Sequence, residues 1–180
     1  MRRLMLLLLL TAACAQGPKA SDPAKTESKA SAAKKSGAAT LPDFTLETID
    51  GDKFTLSDHV GKDVIVMSFW ATWCGPCKVE LPHLDELYNA EKEKGLMIVA
   101  LAMDEPTTVA EVAPTAQRLG LTMPVALDTN QRAVALYNRS RNAPMTVIID
   151  RQGRIVHQAA GYNPGDEVKL AEAVKKLLAQ

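Results

Sequence analysis

The stretch FWATWCGPCK, residues 69–78, places two cysteines three positions apart directly after an apolar, strand-like segment. Two thiols with this spacing at the start of a helix can close into a small disulfide ring, and the unpaired N–H groups of the helix start stabilise a thiolate on the first. Cys74 is therefore the candidate nucleophile. Cys77, one turn further in, is the candidate resolving thiol, which breaks a mixed disulfide.

Other kinds of site share this cysteine spacing. A c-type haem site needs a histidine directly after the second cysteine, where this chain has Lys78. A structural zinc site needs four ligands, but the remaining cysteine is Cys14 and the three histidines show no paired ligand spacing. A permanent structural disulfide is a further alternative, although a ring of four residues gains little loop entropy. Redox cycling explains the pair better, and we expect no metal and no cofactor besides the Cys74/Cys77 disulfide.

Residues 1–13 have the pattern of a signal peptide. Arg2 and Arg3 precede an apolar stretch at 4–10, which is too short to span a bilayer. Small residues then lead into Cys14, an arrangement that resembles the lipobox of bacterial lipoproteins, where the cysteine is acylated. An ordinary signal peptide with an incidental cysteine is the alternative. We predict export to the periplasmic side of a bacterial membrane, with a lipid anchor at Cys14.

Residues 14–40 are predicted to be a flexible linker. From residue 15 to residue 40 the chain is rich in Ala, Ser, Lys, Gly and Pro and has no aromatic side chain, so it cannot form a packed core. This stretch has a net charge of +3, whereas residues 41–180 have a net charge of −5. A basic tether favours reach along or away from a membrane surface over nucleic-acid binding. A purely solubilising role for its lysines is the alternative.

Residues 41–180 are long enough for one domain with its own hydrophobic core. The turn at Asp50-Gly51 predicts a hairpin, and the apolar run at 64–70 predicts a central strand that is buried on both faces. A helix from about 74 to 94, bent at Pro82, follows that strand. Further strands are predicted at 96–101, 124–127, 145–149 and 154–158, the last two antiparallel, and further helices at 109–119, at 131–137 and from about 164. This order predicts an α/β fold with a mixed central sheet flanked by helices.

The sequence WCGPCK at 73–78, with Pro82 five positions after the second cysteine, resembles the active site and kinked helix of thioredoxins. The similarity extends over residues 41–180 and includes Pro144 before an apolar strand. An N-terminal β-hairpin and a central helical insertion between residues 103 and 137 are similar to the exported TlpA/ResA-type thiol-disulfide oxidoreductases. The resemblance implies a thioredoxin-like fold for this domain.

The resemblance also implies a set of substrate contacts. In the family the proline that matches Pro144 is cis, and the residue before it, here Ala143, offers its backbone N–H and C=O to an extended substrate strand. Trp73 is expected to shield the nucleophile and to contact substrate. Gly75 and Pro76 form the dipeptide between the thiols, and Gly-Pro is the composition associated with reducing members of the family.

One position departs from the thioredoxin pattern. Thioredoxins have a buried aspartate six residues before the first cysteine, whereas this chain has Ser68, which cannot act as an acid or base near neutral pH. Glu80, one helical turn after Cys77, is the candidate for proton transfer, and a glutamate at this place occurs in the TlpA/ResA branch. A solvated carboxylate on the helix surface is the alternative, because burial is needed to raise the pKa.

Together these residues predict an exported thiol-disulfide oxidoreductase that reduces disulfides of extracytoplasmic proteins, for example in cytochrome c maturation. The expected partners are disulfide-containing protein substrates and a membrane thiol electron donor, because this compartment lacks the reduced-thiol buffer of the cytosol. We expect a monomer without a nucleic-acid partner. One alternative is a thiol peroxidase of the peroxiredoxin type, although Ala71 replaces the threonine which that class requires. A non-redox lipoprotein that binds metal or protein is the other.

Overall fold

The computed structural model describes residues 41–180, so the predicted signal peptide, the predicted lipid-anchor residue Cys14 and the predicted linker lie outside the described residues. The strands are β1 (Thr45–Glu47), β2 (Lys53–Thr55), β3 (Val64–Trp70), β4 (Leu96–Ala102), β5 (Val125–Leu127), β6 (Met145–Ile149) and β7 (Ile155–Ala160). The helices are α1 (Gly75–Glu91), α2 (Val112–Arg118), α3 (Arg132–Tyr137) and α4 (Asp166–Leu178). None of these helices is long and apolar enough to cross a membrane.

The central sheet has five strands in the order β5-β4-β3-β6-β7, and β1 pairs with β2 in a separate hairpin. All seven residues of β3 are buried, which fits a strand with apolar side chains on both faces. β3 pairs in parallel with β4 and antiparallel with β6. The sheet is therefore mixed, as predicted. Because β3 and β4 are parallel, their carboxyl ends lie at the same edge of the sheet, where the cysteines follow.

The two faces of the sheet carry separate apolar layers. On one face α1, α2 and α4 pack around Trp70 and Leu81. On the other face the β1–β2 hairpin and α3 pack around Phe44 and Phe69. This arrangement confirms the predicted α/β fold with an N-terminal hairpin and a central helical insertion.

Most element limits agree with the predictions within two residues, and two helices differ for identifiable reasons. α1 ends at Glu91 and is followed by a 3-10 turn, after which Gly95, with φ of 87°, stops the helical path. The helix predicted from residue 109 begins as a 3-10 turn and becomes α-helical at Val112. Pro114 then lies in the first turn of α2. Proline is tolerated there because the N–H groups of the first turn have no intrahelical acceptor, so its missing N–H costs no hydrogen bond.

Arg151 ties two elements together at the edge of the sheet opposite the cysteines. It lies in the turn between β6 and β7 and donates hydrogen bonds to the C=O of Lys94 at 2.6 Å and to the C=O of Leu178 at 3.3 Å. The end of α4 is thereby fixed at this edge.

Candidate active site

The end of β3 and the start of α1 position the two cysteines. β3 ends at Trp70, and α1 begins at Gly75 with Pro76 in its first turn, where a proline is tolerated because its missing N–H would have no partner. Cys74 is the N-cap residue, and its Sγ accepts a hydrogen bond from the N–H of Cys77 at 3.2 Å. The two sulfurs form a disulfide, with the Cα atoms 5.4 Å apart.

The two cysteines differ in their access to solvent. Cys77 is fully buried, whereas 4% of the surface of Cys74 remains exposed. Trp73, directly before Cys74, is 65% exposed. The N-terminus of α1 places unpaired N–H groups and the positive end of the helix dipole beside Cys74, which favours a thiolate on this sulfur after reduction.

The loop before β6 reaches the same edge of the sheet as the disulfide. Met145, the first residue of β6, pairs with Phe69 near the end of β3. The peptide bond between Ala143 and Pro144 is cis, and Pro144 is buried. Within the described range 41–180, the N–H and C=O of Ala143 make no backbone hydrogen bond. Met145 is partly buried against the apolar layer formed by the hairpin and α3.

Glu80 is buried, with 5% of its surface exposed. Its Oε1 accepts a hydrogen bond from Thr146 Oγ1 at 3.0 Å, and its Oε2 accepts a longer one from Ser68 Oγ at 3.4 Å. Burial raises the pKa of Glu80, and the hydrogen bonds from Thr146 and Ser68 oppose that rise. The carboxyl group is thus an interior group and not a solvated carboxylate on the helix surface.

A cavity of about 210 Å³ lies against Glu80 and is lined on its other sides by His157, Tyr162 and Glu167, among others. Tyr162 Oη donates a hydrogen bond to Glu167 Oε2 at 2.8 Å, and this bond raises the pKa of Tyr162 to about 12. The cavity can hold water next to the carboxyl group of Glu80, through which a proton can be exchanged.

Thr72, in the turn between β3 and Cys74, is fixed through all its polar groups. Its N–H donates to Asp104 Oδ2 at 3.0 Å, and its hydroxyl donates to Asp104 Oδ1. Its C=O accepts a hydrogen bond from Lys78 Nζ at 3.1 Å. Since Asp104 is only 1% exposed, its two bonds to Thr72 are partly shielded from water and hold the turn that leads to the nucleophile, whereas the bond from Lys78 is exposed.

Sequence reasoning missed Thr146 and Asp104. A signal for Asp104 was present, because it follows a strand whose carboxyl end lies beside that of β3. Thr146 could be found only from the strand register, in which it pairs with Ser68 and shares its face of the sheet.

The sequence and the fold are similar to those of known proteins. The profile of the AhpC/TSA family matches residues 38–158. The thiol-disulfide oxidoreductase ResA of Bacillus thuringiensis (strain Al Hakam) is 38% identical over 128 residues, which cover 71% of this chain and 72% of that protein. ResA of Geobacillus kaustophilus is 35% identical over 131 residues, 73% of each chain. A crystal structure from Chlorobium tepidum, assigned as a thiol:disulfide interchange protein DsbE, superposes with a TM-score of 0.70 at 30% identity, over 77% of this chain and 94% of that one.

The family match covers the part of the chain that contains the disulfide, α1 and the Ala143–Pro144 loop. The similarities confirm the thioredoxin-like fold and the enzyme class that WCGPCK predicts. The chain belongs to the AhpC/TSA family, and it is a thioredoxin-like thiol-disulfide oxidoreductase similar to ResA.

Proposed function

We propose that the protein is an exported reductase that opens disulfides in extracytoplasmic proteins through Cys74 and Cys77. The Cys74 thiolate attacks a substrate sulfur, the substrate S–S bond breaks, and the departing sulfur takes up a proton. Cys77 then loses its proton and attacks Cys74 Sγ, which releases the second substrate sulfur as a thiol. The substrate disulfide is reduced to two thiols, and the dithiol of the enzyme is oxidised to the disulfide.

Glu80 is the proposed proton acceptor for Cys77. Cys77 is fully buried, so its proton must pass to an interior group when the sulfur attacks. Glu80 follows one helical turn later, and its raised pKa brings it closer to the range in which a carboxyl group exchanges protons near neutral pH. The cavity against Glu80 supports the next step, in which this proton passes to solvent.

The proposed substrate contact lies around the exposed side of the disulfide. Trp73 supplies an exposed aromatic face, and Ala143 supplies backbone groups with which an extended segment can pair as an added strand. Pro144 fixes the direction of that segment. Gly75 and Pro76, between the cysteines, leave the approach to Cys74 free of large side chains.

The location of the enzyme is proposed from the sequence before the domain. In this proposal residues 1–13 direct export, Cys14 is acylated, and residues 14–40 tether the domain 41–180 on the periplasmic side of the membrane. A membrane thiol donor supplies electrons after each cycle, because the compartment has no comparable thiol buffer. Apocytochrome c cysteines are one class of substrate that fits this setting. We expect the enzyme to act as a monomer with no resident cofactor.

The buried carboxyl group of Glu80, one helical turn after a CGPC disulfide at a helix start, is the observation that best supports a reductase. The reduction potential of the Cys74/Cys77 pair tests this function. The full chain with Cys14→Ser, which leaves Cys74 and Cys77 as its only thiols, is equilibrated against defined thiol buffers. We expect a potential of about −250 mV or lower, as for thioredoxin. A value of about −120 to −180 mV would indicate an oxidase or isomerase instead. A pair that does not titrate would contradict any redox role.

A further inference from the structure

Two arginines lie on the turn that leads into the Ala143–Pro144 loop. Arg139 and Arg141 are exposed, and neither takes part in a salt bridge within the described part of the chain. Residues 41–180 have a net charge of −5. The two arginines are therefore a local group of positive charges on a domain whose net charge is negative. The position is next to the proposed substrate contact.

A buried asparagine holds this turn in place. Asn138 is 1% exposed, and its side chain accepts a hydrogen bond from the N–H of Asn142 at 3.1 Å and donates one to the C=O of Asn142 at 2.8 Å. The N–H of Arg141 donates to the C=O of Asn138 at 2.8 Å. The backbone that presents both arginines is therefore fixed before any substrate arrives.

Arg141 has a backbone conformation that is uncommon for arginine. Its φ is 55°, in the left-handed region where glycine and asparagine are favoured. Residues in such conformations persist where the surrounding structure holds them, and they concentrate at ligand-binding and active sites. The side chain of Arg141 lines a depression of about 430 Å³ that is bounded on another side by Trp73.

The wall of this depression carries one charge of each sign, and further positive charge lies outside the wall. Glu105 is the acidic residue on its wall, and Arg141 is the basic one. Lys78, next to Cys77, adds a further positive charge close to the disulfide, as does the N-terminal end of α1. Asp104 is close in sequence to this wall, but it is buried and bonded to Thr72. An acidic group on a partner would therefore be complementary to the Arg141 side of the depression and not to its Glu105 side.

We propose that Arg141, assisted by Arg139, selects protein substrates with an acidic side chain beside the reacting cysteine. This inference rests on the proposed reductase function. A substrate segment that pairs with Ala143 runs past Arg141, two residues earlier, so a residue flanking the substrate cysteine comes within reach of its guanidinium. A guanidinium binds a carboxylate through two parallel hydrogen bonds, and the positive charges also accelerate the encounter.

The test compares two synthetic peptides with the same intramolecular disulfide, flanked either by aspartates or by lysines. The full chain with Cys14→Ser is reduced, freed of reductant and mixed with each peptide in a single turnover, and the rate of disulfide formation in the enzyme is measured. We expect the acidic peptide to react about tenfold faster at low ionic strength, and the ratio to approach one as salt screens the charges.

Two variants and a control assign the effect to Arg141. Arg141→Asn removes the charge in a residue that tolerates positive φ, and we expect the rate ratio to fall to about twofold. Arg141→Lys keeps the charge but loses the two parallel hydrogen bonds, so we expect a ratio between those of Arg141→Asn and the wild type. Lys176→Asn, an exposed lysine in the last turn of α4, should leave the ratio as it is. Equal rates for both peptides, or an equal loss in Lys176→Asn, would overturn the inference. Failure of the reduced enzyme to react with either peptide would instead contradict the proposed function.

Discussion

At the scale of the residue, Glu80 shows how the chain supplies an interior acid without the aspartate that thioredoxins place on β3. The sheet contributes two hydroxyl groups, from Ser68 and Thr146, and α1 contributes the carboxyl group that accepts their hydrogen bonds. These hydroxyls are neutral, so they reduce the cost of burial without a compensating positive charge. The pKa of Glu80 consequently stays above its ordinary value.

Glu80→Gln should slow the step in which Cys77 attacks the mixed disulfide. Glutamine keeps the size of the side chain and its hydrogen-bonding oxygen but cannot take a proton, so we expect a loss of about tenfold to hundredfold. The decay of a preformed mixed disulfide, followed by quenched mass spectrometry across pH, measures this step. Glu86→Gln, on the same helix with a side chain that is 80% exposed, is the matched control. Equal rates in the two variants would contradict a proton-transfer role.

The raised pKa of Glu80 also predicts a pH dependence of stability. Its protonated form is the one that the folded state favours, so its contribution is fully present below the unfolded value of 4.5 and is lost as the pH rises through the folded pKa. Glu80→Gln should therefore become more stable relative to the wild type as the pH rises from 4 to 8. Urea unfolding of both oxidised proteins at several pH values measures the difference. A constant difference would show that the pKa is not shifted.

At the scale of the element, the active-site turn depends on β4 as much as on β3. Asp104, just beyond the end of β4, holds Thr72, just beyond the end of β3, and the parallel pairing of the two strands makes this contact possible. The segment after β4 thus fixes the turn that leads from β3 into α1. The element that supplies the carboxylate is separate in sequence from the element that carries the cysteines.

Asp104→Ala should lower the free energy of unfolding of the oxidised protein by about 1–3 kcal/mol, because both Thr72 donors lose their partner in a shielded place. Glu105→Ala, the exposed neighbour, should have a much smaller effect. Urea denaturation of the two variants and the wild type measures this. Similar losses in both variants would mean that the hydrogen bonds to Thr72 do not stabilise the turn.

The elements also show which parts of the structure can be predicted from sequence. β3 and β6 have the predicted limits, because continuous apolar runs mark strands buried on both faces. β7 extends two residues beyond its predicted end. Nearly all its side chains are exposed, so no change from buried apolar to exposed polar residues marks where the strand ends. The burial of Glu80 depends on Thr146, 66 positions away, and such a contact requires the strand register. The cysteines were found because their spacing is local.

At the scale of the whole molecule, the domain depends on residues that precede its first strand. Phe44 is 1% exposed and contacts the rings of Phe54 and Tyr137 with centroids 6.1 and 5.9 Å away. Tyr137 also donates a hydrogen bond to the C=O of Pro42. The lower limit of the folded unit is therefore set by this packing and not by the start of β1.

A chain that begins at residue 41 should thus be far more stable than one that begins at residue 45. Loss of Phe44 removes a large buried aromatic side chain, for which we expect about 3–5 kcal/mol less unfolding free energy. Thermal and urea unfolding of the two truncated proteins provide the comparison. A full-length chain with Asp43→Ala, which keeps Phe44, should lose much less. Equal stability of the two truncated chains would place the limit of the domain after Phe44.

The position of Arg151 has a practical consequence for electrochemistry. It fixes the end of α4 at the edge of the sheet from which β3 starts, and the five residues of β6 separate this edge from the disulfide by about 16 Å. A gold surface or bead coupled through a tag after Gln180 would therefore face the side of the domain away from Cys74. Protein films immobilised in this way should leave the dithiol open to soluble partners.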